Sequence, residues 1–349
     1  MLQAQSMILD RGAYPDAVTP WERETWRASA LAWVEDGLAA HGLRGTGGLR
    51  VRLRPWSVLV RVPVEGRSAV WFKASPPAAA FEGPLTAALA RWVPEDVLKP
   101  LAVDVGRGWT LLPDGGELFR DLLAREPVDP RVWESLLGRY ARMQHDLVPH
   151  AREIERLGVP SARTRDLSEV FGRLLDGASA LAPDERARLD ALRPRVAEWS
   201  AELAALGIGD TLDHADLHDG QLFCPAPGRF TFFDWGDATV SHPFCSLRIP
   251  AERAVDRYGP GVLPRLVDAY LEPWTGSGRT AAELRHAVGT AWRLSALGRA
   301  ASWGRMFPDP SGVAPGGGQS AQWLLELLND PPRTRSWDDV RAAACHPSR

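Results

Sequence analysis

Five ionisable side chains fall within Asp213-His214-Ala215-Asp216-Leu217-His218-Asp219-Gly220-Gln221, and a further acid, Asp234, closes the apolar run Phe230-Thr231-Phe232-Phe233. That density is unusual for a segment that only supports a fold. Moving a phosphoryl group onto a hydroxyl needs one carboxylate to orient the hydroxyl and accept its proton, and separate oxygen ligands to hold Mg²⁺ against the phosphates. Asp216 suits the first task. Asp234, as a carboxylate, and Gln221, through its amide carbonyl, offer the hard oxygen donors that Mg²⁺ prefers. Asp237 reads two ways, as a further metal ligand or as the ion-pair partner of an arginine. His214 is expected to brace the loop backbone and His218 to support its neighbours, while Asp213 and Asp219 read as solvated acids or substrate contacts. A rival chemistry takes His214, Asp216, His218 and Asp234 as the transition-metal centre of a hydrolase. Against it, Lys73 would then have no role.

Lys73 is one of two lysines among 41 basic residues, the rest being arginine. It lies in Val70-Trp71-Phe72-Lys73-Ala74, a strand-like run in which a compact ammonium can approach nucleotide phosphates where a guanidinium fork would not fit. Glu82, on the helix expected next, is its candidate partner. The plainer reading is a strand-edge lysine with its head in water.

Periodicity supplies the elements that must position these groups. A first helix is expected from Pro20 to His41, with Thr19 as N-cap. Alternation over Leu49–Ala74 reads as three antiparallel strands. A helix over Ala78–Trp92 follows, then strands over Pro100–Val105 and Trp109–Leu112. Beyond the break at Pro113-Asp114-Gly115-Gly116 the pattern is helical over Glu117–Arg125, Pro130–Val148, Asp166–Gly177 and Pro183–Leu206. Two short strands around Leu222-Phe223 and Phe230–Phe233 interrupt it, and helices resume over Val262–Tyr270, Ala281–Ser302 and Gln319–Leu328. Pro308–Gly318 reads as a linker and Pro331–Arg349 as a tail. The expected division is an N-terminal part over residues 1–113, a helical part over 114–330 and a tail over 331–349.

The 349 residues, 45% hydrophobic and 24% charged with a net charge of −3, suit a globular protein of two domains or lobes. The charge gives no footprint for nucleic acid. No uncharged apolar run approaches the ~20 residues of a membrane span, and the N-terminus lacks a secretion signal, so no membrane partner and a cytoplasmic location are expected. Three cysteines without finger spacing indicate neither disulfides nor a zinc site.

His214-Ala215-Asp216-Leu217-His218-Asp219-Gly220-Gln221 resembles the H-G-D-L-H-x-x-N loop of the aminoglycoside phosphotransferase and choline-kinase-like small-molecule kinases. Phe233-Asp234-Trp235-Gly236-Asp237-Ala238, followed by His242-Pro243, resembles their I-D-W-x-D-A motif. The resemblance covers roughly Arg50 to Leu328. It implies an α+β, protein-kinase-like bilobal fold, with a small antiparallel sheet in the N-lobe and a mainly helical C-lobe. It also implies use of ATP and Mg²⁺ to phosphorylate a hydroxyl of a small molecule, whether antibiotic, amino alcohol, sugar or related metabolite. Asp216 would be the catalytic base, and Gln221 and Asp234, with Asp237, the metal ligands. Lys73 and Glu82 would position the nucleotide, with Leu111, Leu112 and Asp114 as the adenine hinge and Ser57 beside them. Glu117, Asp121 and Asp219 are available to a cationic acceptor, and oligomeric state is left open.

Three departures stand out. Gln221 replaces Asn, which keeps the carbonyl donor on a longer arm and raises the alternative of a catalytically impaired, nucleotide-binding relative. Ala215 replaces Gly, which matters only if that residue needs positive φ. Ser246-Leu247 stands where the family has Asp-Leu, and the serine is expected to cap a helix.

Overall fold

The structure is a computed structural model describing residues 2, 6–66, 69–226, 228–276, 278–307 and 318–331. All of the expected linker except Gly318, and all of the expected tail except Pro331, lie outside the described residues. Two compact units divide the chain: residues 1–118, 156–159 and 222–236 form the first, and residues 119–155, 160–221 and 237–349 the second.

The strands are β1 (Met7–Asp10), β2 (Leu49–Arg54), β3 (Ser57–Val62), β4 (Val70–Ala74), β5 (Ala102–Asp104), β6 (Trp109–Pro113), β7 (Thr211–Asp213), β8 (Leu222–Ala226), β9 (Arg229–Phe232) and β10 (Thr239–Ser241). In the first unit β1 to β6 make one sheet, ordered β1-β2-β3-β4-β6-β5. Its pairings are antiparallel apart from β1 on β2, which is parallel. The first ordered strand is therefore β1, ahead of the helix expected to lead. Its Ile8 and Leu9 are exposed, so no apolar alternation marks it in the sequence.

Alternation in β2, β3, β4 and β6 turns one row of side chains into a core: Val51, Leu53, Val58, Val60, Val70, Phe72, Trp109 and Leu111, packed with Leu31, Val34 and Leu38. The last three lie on α1 (Glu24–Ala40), which follows a 3₁₀ turn at Pro20–Glu22 capped by Thr19 and Glu22. Phe72, Trp109, Trp26 and Trp33 meet edge to face there, as in the 5.5 Å contact of Trp26 with Trp109. Helix α2 (Glu82–Trp92) follows β4. The β8–β9 hairpin joins the same unit through bridges Val97–Phe232 and Leu118–Phe223.

The second unit is helical: α3 (Phe119–Arg125), α4 (Arg131–Leu147), α5 (Ala151–Arg156, its last residue at the boundary), α6 (Leu167–Gly177), α7 (Pro183–Asp190), α8 (Arg193–Ala205), α9 (Arg248–Tyr258), α10 (Leu263–Leu271), α11 (Ala281–Met306) and α12 (Gln319–Leu325). The single helix expected over Pro183–Leu206 is two, because Pro194 opens a new one as α8. Strands β7 and β10 pair antiparallel, Asp213 opposite Thr239, so the loop leaving β7 and the turn entering β10 emerge side by side. No helix of the described residues is long and apolar enough to cross a membrane.

Candidate active site

Lys73 and its two carboxylate partners, Glu82 and Asp234, all lie in the first unit. Lys73 sits on β4 opposite Leu59 and Thr110, one residue along from core-facing Phe72, so it projects from the other side of the sheet. Its Nζ donates to Glu82 Oε1 at 2.6 Å and also to Asp234 Oδ1. Ser75 Oγ donates to the second Glu82 oxygen at 2.8 Å, a contact the motifs gave no sign of. The Lys73 side chain is only 12% exposed, so this is no lysine reaching for water.

Burial acts to lower the Lys73 pKa, but the carboxylates of Asp234 and Glu82 outweigh it and hold the ammonium well above its ordinary range. Burial pushes Glu82 upward, Lys73 pulls it down, and the charge of Asp234 adds to the rise. Asp234 adopts φ 66°, a left-handed conformation that a non-glycine residue takes only under constraint.

Other nucleotide candidates sit on the same unit. Ser57 begins β3 and is buried. Leu111 has its side chain in the core and its carbonyl accepts from Leu101, whereas Leu112 is half-buried on the other side of β6. Asp114 accepts from the Gly116 N–H at 3.1 Å and shapes the turn after β6.

In the second unit, the loop after β7 carries Asp216. A buried network from α4 braces it: Gln144 donates to Leu212 O and to Ser246 Oγ, and Tyr140 Oη accepts the His214 N–H. Ser246 Oγ donates to Asp213 Oδ1 at 2.5 Å, and the Ala215 N–H reaches the same oxygen at 2.8 Å. With its one proton committed to Asp213, Ser246 must accept from Tyr140, 3.2 Å away. Ser246 is thus no helix cap, and Asp213, 2% exposed, is no solvated acid. Burial raises its pKa to about 6, against the opposing effect of Ser246, Ala215 and Arg299. Ala215 has φ 62°, so the position does require the conformation glycine adopts freely.

Asp216 Oδ1 lies 3.1 Å from Arg299 Nη2, and its Oδ2 lies 3.9 Å from His218 Nε2. His218 Nδ1 accepts the Gly220 N–H at 2.9 Å, which puts the ring proton of the neutral imidazole on Nε2. Arg120 pairs with Asp219 at 3.0 Å. Half-buried Gln221 closes the loop through its backbone N–H to His218 O. Asp237 accepts from Ser302 Oγ and faces Arg299 Nη1 at 3.6 Å, the arginine partnership that was one of its two expected roles. Arg299 and Ser302, both on α11, were not foreseen. The available signal was an arginine inside the otherwise apolar or small run Leu294–Ala301.

The donor chemistry of Asp234 and Gln221 fits magnesium: both offer hard oxygens, and the Asp234 side chain keeps 34% of its surface exposed. A transition-metal centre fits poorly. His214 is fully buried, His218 Nδ1 is taken, and among the described residues no group of three or more His, Cys, Asp or Glu could hold a metal ion.

No family model matches this chain, and no curated protein matches its sequence. Solved structures do. An ethanolamine kinase from Plasmodium vivax superposes with a TM-score of 0.60 at 13% identity, over 93% of this chain and 90% of that one. A macrolide 2'-phosphotransferase from Brachybacterium faecium does so with a TM-score of 0.55 at 20% identity, over 88% and 100%. A variant aminoglycoside 2'-phosphotransferase, solved with GDP, gives 0.55 at 13% identity, over 88% and 97%. The fold of this chain is therefore the α+β fold of these small-molecule kinases, as the motif resemblance implied.

Proposed function

We propose that this protein is a small-molecule kinase that transfers the γ-phosphoryl group of ATP, with Mg²⁺, to a hydroxyl of an acceptor such as an antibiotic, amino alcohol, sugar or related metabolite. The observation that carries this reading is Lys73 held buried between Glu82 and Asp234. An ammonium kept charged in a dry setting is what a chain of phosphates needs at its α and β positions. A cytoplasmic setting, where ATP is supplied, belongs to the same proposal.

In this reading Asp216 orients the acceptor hydroxyl and takes its proton as the acceptor oxygen bonds to the γ-phosphorus. The bond from that phosphorus to the bridging oxygen breaks, and ADP leaves. Lys73 binds phosphate oxygens, and Glu82, itself held by Ser75, keeps the ammonium in place. Leu112, Asp114 and Ser57 contribute to the nucleotide site, with Leu111 taking part through its backbone. Asp234 and Gln221 would hold magnesium, with Asp237 as a further candidate. Bound there, the ion supplies charge neutralisation at the phosphates.

A screen of hydroxylated compounds read as ATP consumption tests this. With the acceptor it finds, Asp216→Asn should cut transfer by about 10² to 10⁴-fold and leave nucleotide binding nearly intact. Asp234→Ala should weaken Mg-nucleotide binding measured by calorimetry. Wild-type turnover in the first variant would remove Asp216 from the mechanism, and unchanged affinity in the second would sink the kinase reading.

A further inference from the structure

Arg299 is 7% exposed, yet it carries a full charge and neither its Nε nor its Nη1 has a hydrogen-bond partner. Its guanidinium lies between two carboxylates, with Nη2 3.1 Å from Asp216 Oδ1 and Nη1 3.6 Å from Asp237 Oδ1. The rings of Trp303 and Trp323 flank it, with centroids 5.9 and 5.4 Å from Cζ. Ser302, three positions along α11, donates to Asp237 from the same helical turn. Burying a guanidinium with two of its nitrogens unmet costs stability, so stability alone does not account for this arrangement.

We propose that Arg299 is a positioning residue for Asp216. This rests on the kinase reading above. An unheld carboxylate turns readily about its Cβ–Cγ bond. With Oδ1 on the guanidinium fork that rotation stops, and Oδ2 keeps one direction, on the side of His218. The tryptophan faces fix the plane of the fork, and the charge of Asp237, 3.6 Å from Nη1, draws its second prong. Lysine could supply the charge but neither the plane nor the second prong.

The acceptor being unidentified, the assay uses water: hydrolysis of Mg-ATP and of Mg-GTP, read as phosphate release, for wild type, Asp216→Asn, Arg299→Ala and Arg299→Lys. Arg299→Ala should lower kcat by about 100-fold and leave KM for the nucleotide within about twofold, because orientation is lost and binding is not. Methylguanidinium should restore at least tenfold of that loss, roughly half of it on a logarithmic scale, whereas ammonium at equal concentration should not. Arg299→Lys should fall between wild type and alanine.

A folded alanine variant with wild-type kcat overturns the proposal, as does a loss confined to KM. So does a loss that methylguanidinium leaves untouched while lysine is as inactive as alanine. Should circular dichroism show the alanine variant unfolded, lysine carries the test: reduced kcat at unchanged KM supports the proposal, and wild-type kcat overturns it. Loss of hydrolysis in Asp216→Asn beside full activity in Arg299→Ala removes only the role of Arg299. Full activity in Asp216→Asn, or no hydrolysis of either nucleotide by wild type, overturns the kinase reading beneath it.

Discussion

Gly83 faces Thr110 so closely that a side-chain carbon at position 83 would lie 2.6 Å from the threonine Oγ1 and 2.9 Å from Val103 Cγ1. Gly83 follows Glu82 on α2, while Thr110 pairs with Lys73 across β4 and β6. The missing side chain thus lets α2 approach β5 and β6, and that approach brings Glu82 within 2.6 Å of Lys73 Nζ.

Gly83→Ala should therefore push α2 away from the strands and lengthen the Lys73–Glu82 contact. Overpacking of this kind costs about 1 to 3 kcal/mol, so the urea midpoint should fall, and affinity for Mg-ATP should fall with it. Adding Thr110→Ala removes the nearer clash and should recover part of both losses. Unchanged nucleotide affinity in the single variant would show that Glu82 reaches Lys73 without this close approach.

What the sequence made legible follows from what periodicity and spacing encode. Lys73, Glu82, Asp216 and Asp234 were singled out by residue type and motif spacing, and strands β2, β3, β4 and β6 by a buried row in each. Strand β1 was invisible because backbone pairing to β2 holds it while Ile8 and Leu9 stay exposed. Helix α9 was missed because Arg248-Ile249-Pro250-Ala251-Glu252-Arg253 shows little apolar period, and its one deeply placed charge, Arg248, depends on Glu252 and Glu326. Arg299 joins Asp216 across a long stretch of chain, and no local pattern reports such a pairing. The burial of Asp213 likewise rests on Tyr140, Gln144 and Ser246, which no spacing rule links.

Ala215 supplies a stability prediction. At φ 62° its Cβ is strained, at about 1 to 2 kcal/mol for a left-handed L-residue, whereas glycine adopts that conformation without penalty. Glycine also gains unfolded-state entropy worth roughly 0.4 to 1 kcal/mol in the opposite direction. The strain is the larger, so Ala215→Gly should stabilise the fold by up to about 1 kcal/mol, read as a higher urea midpoint. A lower midpoint would mean that the loop holds this conformation without strain.

Two buried groups give stability opposite dependences on pH. Asp213 titrates near 6 in the folded protein against an ordinary 3.8, chiefly because burial disfavours its charge. The folded state binds its proton more tightly, so the stability it confers is full below about pH 3.8 and is lost as pH rises through 6. The loss is roughly 3 kcal/mol at 1.36 kcal/mol per unit. His242 goes the other way: burial first, then the charge of Arg279, lowers it from 6.5 to about 3. In the window between those values the unfolded chain binds more protons, so its contribution is present above pH 6.5 and drains away as pH falls toward 3, by roughly 5 kcal/mol. Asp213→Asn keeps an acceptor for Ser246 and the Ala215 N–H, and should gain on wild type as pH rises from 4 to 7. His242→Gln keeps an acceptor for the Phe244 N–H, and should lose less than wild type as pH falls from 7 to 4. Urea midpoints of the three proteins at half-unit pH steps check both slopes, and curves that stay parallel would show that neither group is shifted by folding.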